Sequence, residues 1–203
     1  MSWVNVSKGI PSGDIKFLHI IEGLVFNCPS SIERKKKDGS YKNGNTRNKI
    51  DYKPVSARNV SFRSRGIEGD LFITLLATIR RPLLGNKTYA NIPSNQSVET
   101  TMDNIIKSVE LSDPLFEVMV YQTRDDMPAL EAVYYYIRNA FAHGSFEVSK
   151  TSSGNIYILE SAKDGKVKAQ MRLKESTLEE YIRLASLTSA GIKALRKQKK
   201  KKA

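Results

Sequence analysis

The 203-residue chain holds one cysteine, Cys28, and two histidines, His19 and His143. A lone thiol excludes an internal disulfide and fits a reducing compartment. Together with two imidazoles it leaves too few soft ligands for a structural metal site. No stretch approaches the roughly 20 apolar residues of a membrane span. The opening residues, MSWVNVSKGIPSGD, lack the apolar core of a signal peptide. A soluble, cytoplasmic protein is therefore expected. Also missing are an internal repeat, a glycine-rich phosphate loop, a defensible Ser-His-Asp spacing, and a DxD or paired carboxylates that could bracket a cleft. No cofactor is expected.

What the chain has in excess is positive charge, +12 in all. Its distribution is uneven. From Pro29 to Arg65 eleven Lys or Arg face three acids, and from Lys193 to Ala203 there are seven basic residues and no acid, which leaves −3 for the rest. The body is mildly acidic and the charge lies in a basic arm at about residues 29–66 and a tail. Lys35, Lys36, Lys37, Arg63 and Arg65 in the arm, with Lys199 and Lys200 in the tail, are the candidate RNA contacts, because counterion release favours such segments on phosphate backbones. Tyr41, Tyr52 and Phe62 interleave with the basic residues and would suit stacking on single-stranded bases, or equally an ordinary loop anchored by its aromatics. A lysine-rich terminus also suits plain solubility.

Periodicity supplies the elements. Helical spacing covers Asp14 to Asn27 (capped by Ser12), Glu68 to Leu84 (with Pro82 as a kink or end) and Val98 to Leu111 (capped by Ser97 or Thr100). Gly85 to Asn95 reads as loop, and Pro114 to Arg124 as a short helix with proline in its first turn. After Gly144 the period becomes two. Ser145–Thr151, Asn155–Ser161 and Lys166–Leu173, separated by Ser153-Gly154 and Asp164-Gly165, predict an antiparallel three-stranded meander. A capping box at Ser176 or Thr177 opens a last helix to about Leu195.

The most informative stretch is Leu130 to Phe146, LEAVYYYIRNAFAHGSF. At about 100° per residue, Leu130, Val133, Tyr134, Ile137 and Phe141 form an apolar stripe. Opposite it stand Ala132, Tyr136, Asn139 and His143, where a surface helix would normally show charge, so this face predicts a second subunit or a ligand. Gly144 ends the helix in the left-handed conformation. A histidine in the last turn can simply complement the helix dipole. The sharper reading makes Arg138, Asn139 and His143 a catalytic group: an imidazole that exchanges protons near neutrality, a guanidinium fork for phosphate, and an amide that orients the imidazole or binds the same phosphate.

Arg138-Asn139-Ala140-Phe141-Ala142-His143 matches the R-x4-6-H motif, in its common form with a polar residue after the Arg, and in this the chain resembles HEPN domains over roughly Thr100 to Leu187. The resemblance implies a mainly α (α+β) fold, a HEPN-like helical bundle with a small antiparallel β-meander inserted between the motif helix and the C-terminal helix. Residues 1–192 would form this single domain and 193–203 a basic tail. It further implies a homodimer through the motif helix, with Arg138 and His143 of both subunits lining one cleft. The implied activity is metal-independent cleavage of RNA: a 2′-hydroxyl attacks its own phosphodiester, leaving a 2′,3′-cyclic phosphate and a 5′-hydroxyl. Toxin–antitoxin, plasmid-encoded or antiviral (abortive-infection) systems are the implied setting, with an antitoxin protein as a further partner. Ser145 stands where members regulated by nucleotide transfer carry a tyrosine, so that control is not expected. The alternative is a non-catalytic HEPN-like dimer that binds RNA or a partner protein.

Overall fold

The computed structural model describes residues 14–28, 34–35, 50–51, 65, 67, 70–84, 88–109, 115–125 and 128–194. The first helix, α1 (Ile15–Ile21), starts where Asp14 accepts hydrogen bonds from the Lys16 and Phe17 N–H groups, and it runs on into a π-helical turn, Glu22–Phe26. Two short strands, β1 (Arg34–Lys35) and β2 (Ile50–Asp51), pair antiparallel within the basic arm. Then follow α2 (Asp70–Leu84), β3 (Thr88–Ile92), α3 (Val98–Ser108), β4 (Val118–Gln122), α4 (Ala129–Ala142), β5 (Phe146–Thr151), β6 (Gly154–Lys163), β7 (Lys166–Lys174) and α5 (Glu175–Ala185).

The expected helical bundle with an inserted meander is wrong. The meander β5-β6-β7 exists, but it is three-fifths of a five-stranded mixed sheet ordered β3-β4-β7-β6-β5, which makes the fold α+β. β4 runs antiparallel to β7, and β3 lies parallel to β4 across the crossover helix α3. Both missed strands have a physical cause. All five residues of β4 are buried: Met119 and Tyr121 face the larger core, Val118 and Val120 a smaller one under α3. A strand covered on both sides loses the polar alternation that distinguishes it from a helix, and Pro114 supplied a false helix start. β3, read as loop, is an edge strand with exposed Thr88 and Tyr89.

The larger core joins one face of the sheet to α1, its π-helical extension, α2, α4 and α5. Among the described residues no helix is long and apolar enough to cross a membrane. The stripe expected on α4 is there, with Val133, Tyr134, Ile137 and Phe141 all buried. So are Ala132 and Tyr136 on the opposite side, where the Tyr136 ring lies 6.3 Å from that of Tyr121 on β4. The chain itself covers the N-terminal half of this second face, while Asn139 is half-buried and His143 exposed.

The end of α4 is built as its sequence suggests. Ser145 N–H donates to the Ala140 carbonyl and Gly144 N–H to that of Phe141, with Gly144 at φ +68°, a Schellman closure. His143 is the C-cap residue and is exposed. At the other end of the meander, Asp164 and Gly165 both take positive φ (53° and 71°), the conformation of a tight hairpin turn. The last helix begins at Glu175 with no side-chain cap bond, so the expected capping box is not formed. It breaks after Ala185, and the chain is helical again at 189–194.

Candidate functional site

Where the C-terminal half of α4 meets the end of β4 and the β6–β7 hairpin, the surface opens into a cleft of about 440 Å³. Arg138, Asn139 and His143 all line it. Three further cations join them: Arg124 just beyond β4, Lys163 at the end of β6 and Lys168 on β7. Among the described residues no Asp or Glu lines it. The cleft is therefore an anion site by charge count, with one imidazole at its rim.

Local contacts organise these groups. Arg138 Nη1 donates to Asn139 Oδ1 at 2.9 Å, so the amide orients the guanidinium and not the imidazole, the first of the two roles the sequence left open for it. The Arg124 guanidinium lies 4.1 Å from the centre of the Tyr135 ring, and Tyr135 meets Tyr136 edge-on at 5.3 Å. Tyr136 is anchored by donating its hydroxyl to the Gln122 carbonyl at 3.1 Å, which ties α4 to the end of β4.

Cys28 is buried within electrostatic reach of Arg138. Burial, reinforced by Glu131, pushes its thiol up to about 12, while the guanidinium groups of Arg65 and Arg138 pull the other way. Burial thus suppresses its thiolate, the nucleophilic form, at neutral pH. Among the described residues no three His, Cys, Asp or Glu side chains gather in a way that could hold a metal.

The RNA contacts expected in the arm and tail fare differently. Arg65 donates to the Ala185 carbonyl at 2.6 Å and to the Asn27 carbonyl at 3.2 Å. It clasps the C-terminal ends of α5 and the π-helical turn, which occupies the fork expected for phosphate. The backbone of Lys35 lies in β1, while Lys36, Lys37, Arg63, Lys199 and Lys200 lie outside the described residues. Sequence reasoning missed Arg124, Lys163 and Lys168. The cue available was the basic flank of the Asp164-Gly165 turn, Lys163, Lys166 and Lys168.

Fold and site together define an α+β protein with a cationic cleft bearing one histidine. Neither a family model, nor a curated protein, nor a solved structure matches the chain.

Proposed function

We propose that the chain is a metal-independent endoribonuclease whose active site is the cleft at the end of α4. One observation carries the reading: four cations and an exposed imidazole share a cleft that no carboxylate lines among the described residues. His143 would exchange the proton of a ribose 2′-hydroxyl, and Arg138, oriented by Asn139, would stabilise charge on the pentacoordinate phosphate. The Arg124–Tyr135 stack gives bases a planar surface. The proposal rests on these residues and not on a helical-bundle fold, which this chain does not have. A toxin–antitoxin or antiviral setting, in which an antitoxin could act by occluding the cleft, belongs to the same proposal. A homodimer that shares the cleft would have to form through the end of α4, where Ala142 and His143 are exposed.

A second reading, a non-catalytic RNA-binding protein, is favoured by the cleft's single imidazole, since in-line cleavage uses both a base and an acid. Incubation with RNA separates the two. Under the first, wild-type protein cleaves in the presence of EDTA and leaves cyclic phosphate ends, while His143→Ala and Arg138→Ala each lose at least about 100-fold in rate, the usual scale for an acid–base group, with melting temperatures nearly unchanged. Binding without cleavage in wild type would establish the second. Cleavage that survives the double substitution would remove the cleft from the chemistry.

A further inference from the structure

Strand β7, KVKAQMRLK, alternates from Ala169 onward: Ala169, Met171 and Leu173 all enter the larger core. Val167 has the same parity, yet it packs on the smaller core beneath α3. The pairing explains the flip. Ser161 opposes Ala169 while Ala162 opposes Val167, so Lys168 is the extra residue of a β-bulge. Bulges re-aim a side chain out of the regular pleat and recur beside active sites. This one sits opposite Ser161 and Ala162, both of which line the cleft, and places Lys168 in the same wall.

A second device holds the ammonium there. Lys168 Nζ donates to Gln122 Oε1 at 3.0 Å. Gln122 is itself buried, and its Nε2 donates to two carbonyls of the β3–α3 loop, Ser94 at 3.2 Å and Gln96 at 2.8 Å. Two carbonyl acceptors on the amide nitrogen leave one orientation for the side chain, with its oxygen toward Lys168. The register agrees, since Tyr121 pairs with Ala169, which brings the next residue of β4 opposite Lys168. Among the described residues Lys168 has this neutral acceptor and no carboxylate. A half-buried cation held by a locked amide, with its charge uncompensated, is built to meet an anion from outside.

We infer that Lys168 is a phosphate-binding residue of the cleft, taking a backbone phosphodiester of single-stranded RNA, and that Gln122 is its positioning residue. The substrate class rests on the ribonuclease reading, and the binding test below stands without cleavage.

The probe is a short, mixed-sequence 2′-O-methyl oligoribonucleotide, which has no free 2′-hydroxyl and cannot be cut. Its affinity is followed by fluorescence anisotropy across a salt series. Lys168→Met should bind roughly tenfold more weakly, as expected for one charge-assisted contact, and the slope of log K against log salt should fall by about 0.7. Lys168→Arg should keep the slope. Gln122→Met, which removes no charge, should also keep it, while weakening oligonucleotide binding several-fold and raising KM on cleavable RNA with kcat near wild type, the signature of a displaced group that binds substrate and transition state alike. Lys168→Gln, a second neutral variant of a half-buried residue, stands in if the Met variant folds poorly. Wild type that ignores the oligonucleotide, or a neutral Lys168 variant with wild-type affinity and slope, overturns the inference. An unchanged oligonucleotide affinity in Gln122→Met overturns the role of Gln122. If wild type binds but never cleaves, the ribonuclease reading fails and the slope still decides Lys168.

Discussion

Gly23 lies where the π-helical turn meets α5, and a Cβ built on it would stand 2.7 Å from each of Ile182 Cγ1, Cγ2 and Cδ1. Two of those atoms sit on a β-branched carbon whose χ1 is stiff, so the side chain has no easy rotation that clears all three. Ile182 is only 8% exposed and cannot swing into solvent. Overpacking of this kind costs about 1–3 kcal/mol, against which alanine's better helix propensity returns up to about 1 kcal/mol. Gly23→Ala should therefore destabilise by about 1–2 kcal/mol, a fall in melting temperature of roughly 5 °C for a chain of this size. The assay is urea unfolding followed by circular dichroism, run as a double-mutant cycle. Ile182→Ala alone should cost about 2–5 kcal/mol, but it removes all three clashing atoms, so adding Gly23→Ala to it should cost nothing. The coupling, 1 kcal/mol or more in magnitude, is the prediction. Gly23→Ala that stabilises the wild type, or two effects that simply add, would refute the reasoning. Since no residue of this π-helical turn lines the cleft, the folded variant should keep whatever RNA cleavage the wild type has.

Arg65→Ala should cost about 2 kcal/mol, because it strands two helix-end carbonyls that now accept from a guanidinium. RNA affinity should stay unchanged, and a loss of affinity at unaltered stability would restore Arg65 to the RNA contacts. Stability should fall as pH rises above about 9. Burial pushes Cys28 up to about 12, Tyr121 likewise to about 12, and Tyr134, Tyr157 and Tyr181 upward. The folded protein keeps protons that the unfolded chain gives up first, so this stability is complete below the unfolded values and lost on the way to the folded ones, at roughly 1.4 kcal/mol per pH unit for each proton. Cys28→Ala should flatten the profile by one such proton between pH 9 and 12, and flat stability from pH 8 to 11 in wild type would contradict the burial argument. Removing Lys193 to Ala203 takes away seven positive charges, so RNA binding should weaken and lose salt dependence; an unchanged salt slope would make the tail a solubility device.

The parts of the fold legible in the sequence were those whose pattern is set locally. The stripe of α4, the closure at Gly144 and the Ser97 cap, whose Oγ accepts from Thr100 N–H, depend on residues within one or two turns. The hairpin turn at Asp164-Gly165 is equally local. β4 depends on two separate cores meeting on one strand, which no window of sequence contains. The site divides the same way. Arg138, Asn139 and His143 lie within six consecutive residues of one helix end and were visible as a group. Arg124 follows a strand, β4, that reads as a helix in the sequence, and Lys168, though its strand and hairpin are legible, reaches the cleft through a bulge that only register reveals.

That division also bears on how the cleft can work. An isolated helix C-terminus is a poor place for an anion, since its free carbonyls carry roughly half a negative charge. Arg138 and His143 sit at such an end, and alone they would present a phosphate with little net attraction. The sheet changes the balance. By bringing Arg124, Lys163 and Lys168 up to the end of α4, it raises the fixed positive charge of the cleft to four against that half unit. The motif residues on α4 therefore depend on β4, β6 and β7 for their anion affinity. A peptide carrying α4 alone should show no measurable affinity for the 2′-O-methyl oligonucleotide at about 0.15 M salt, where surface charges are screened beyond roughly 8 Å. Binding by that peptide as tight as by the whole chain would mean the sheet contributes scaffold and no charge.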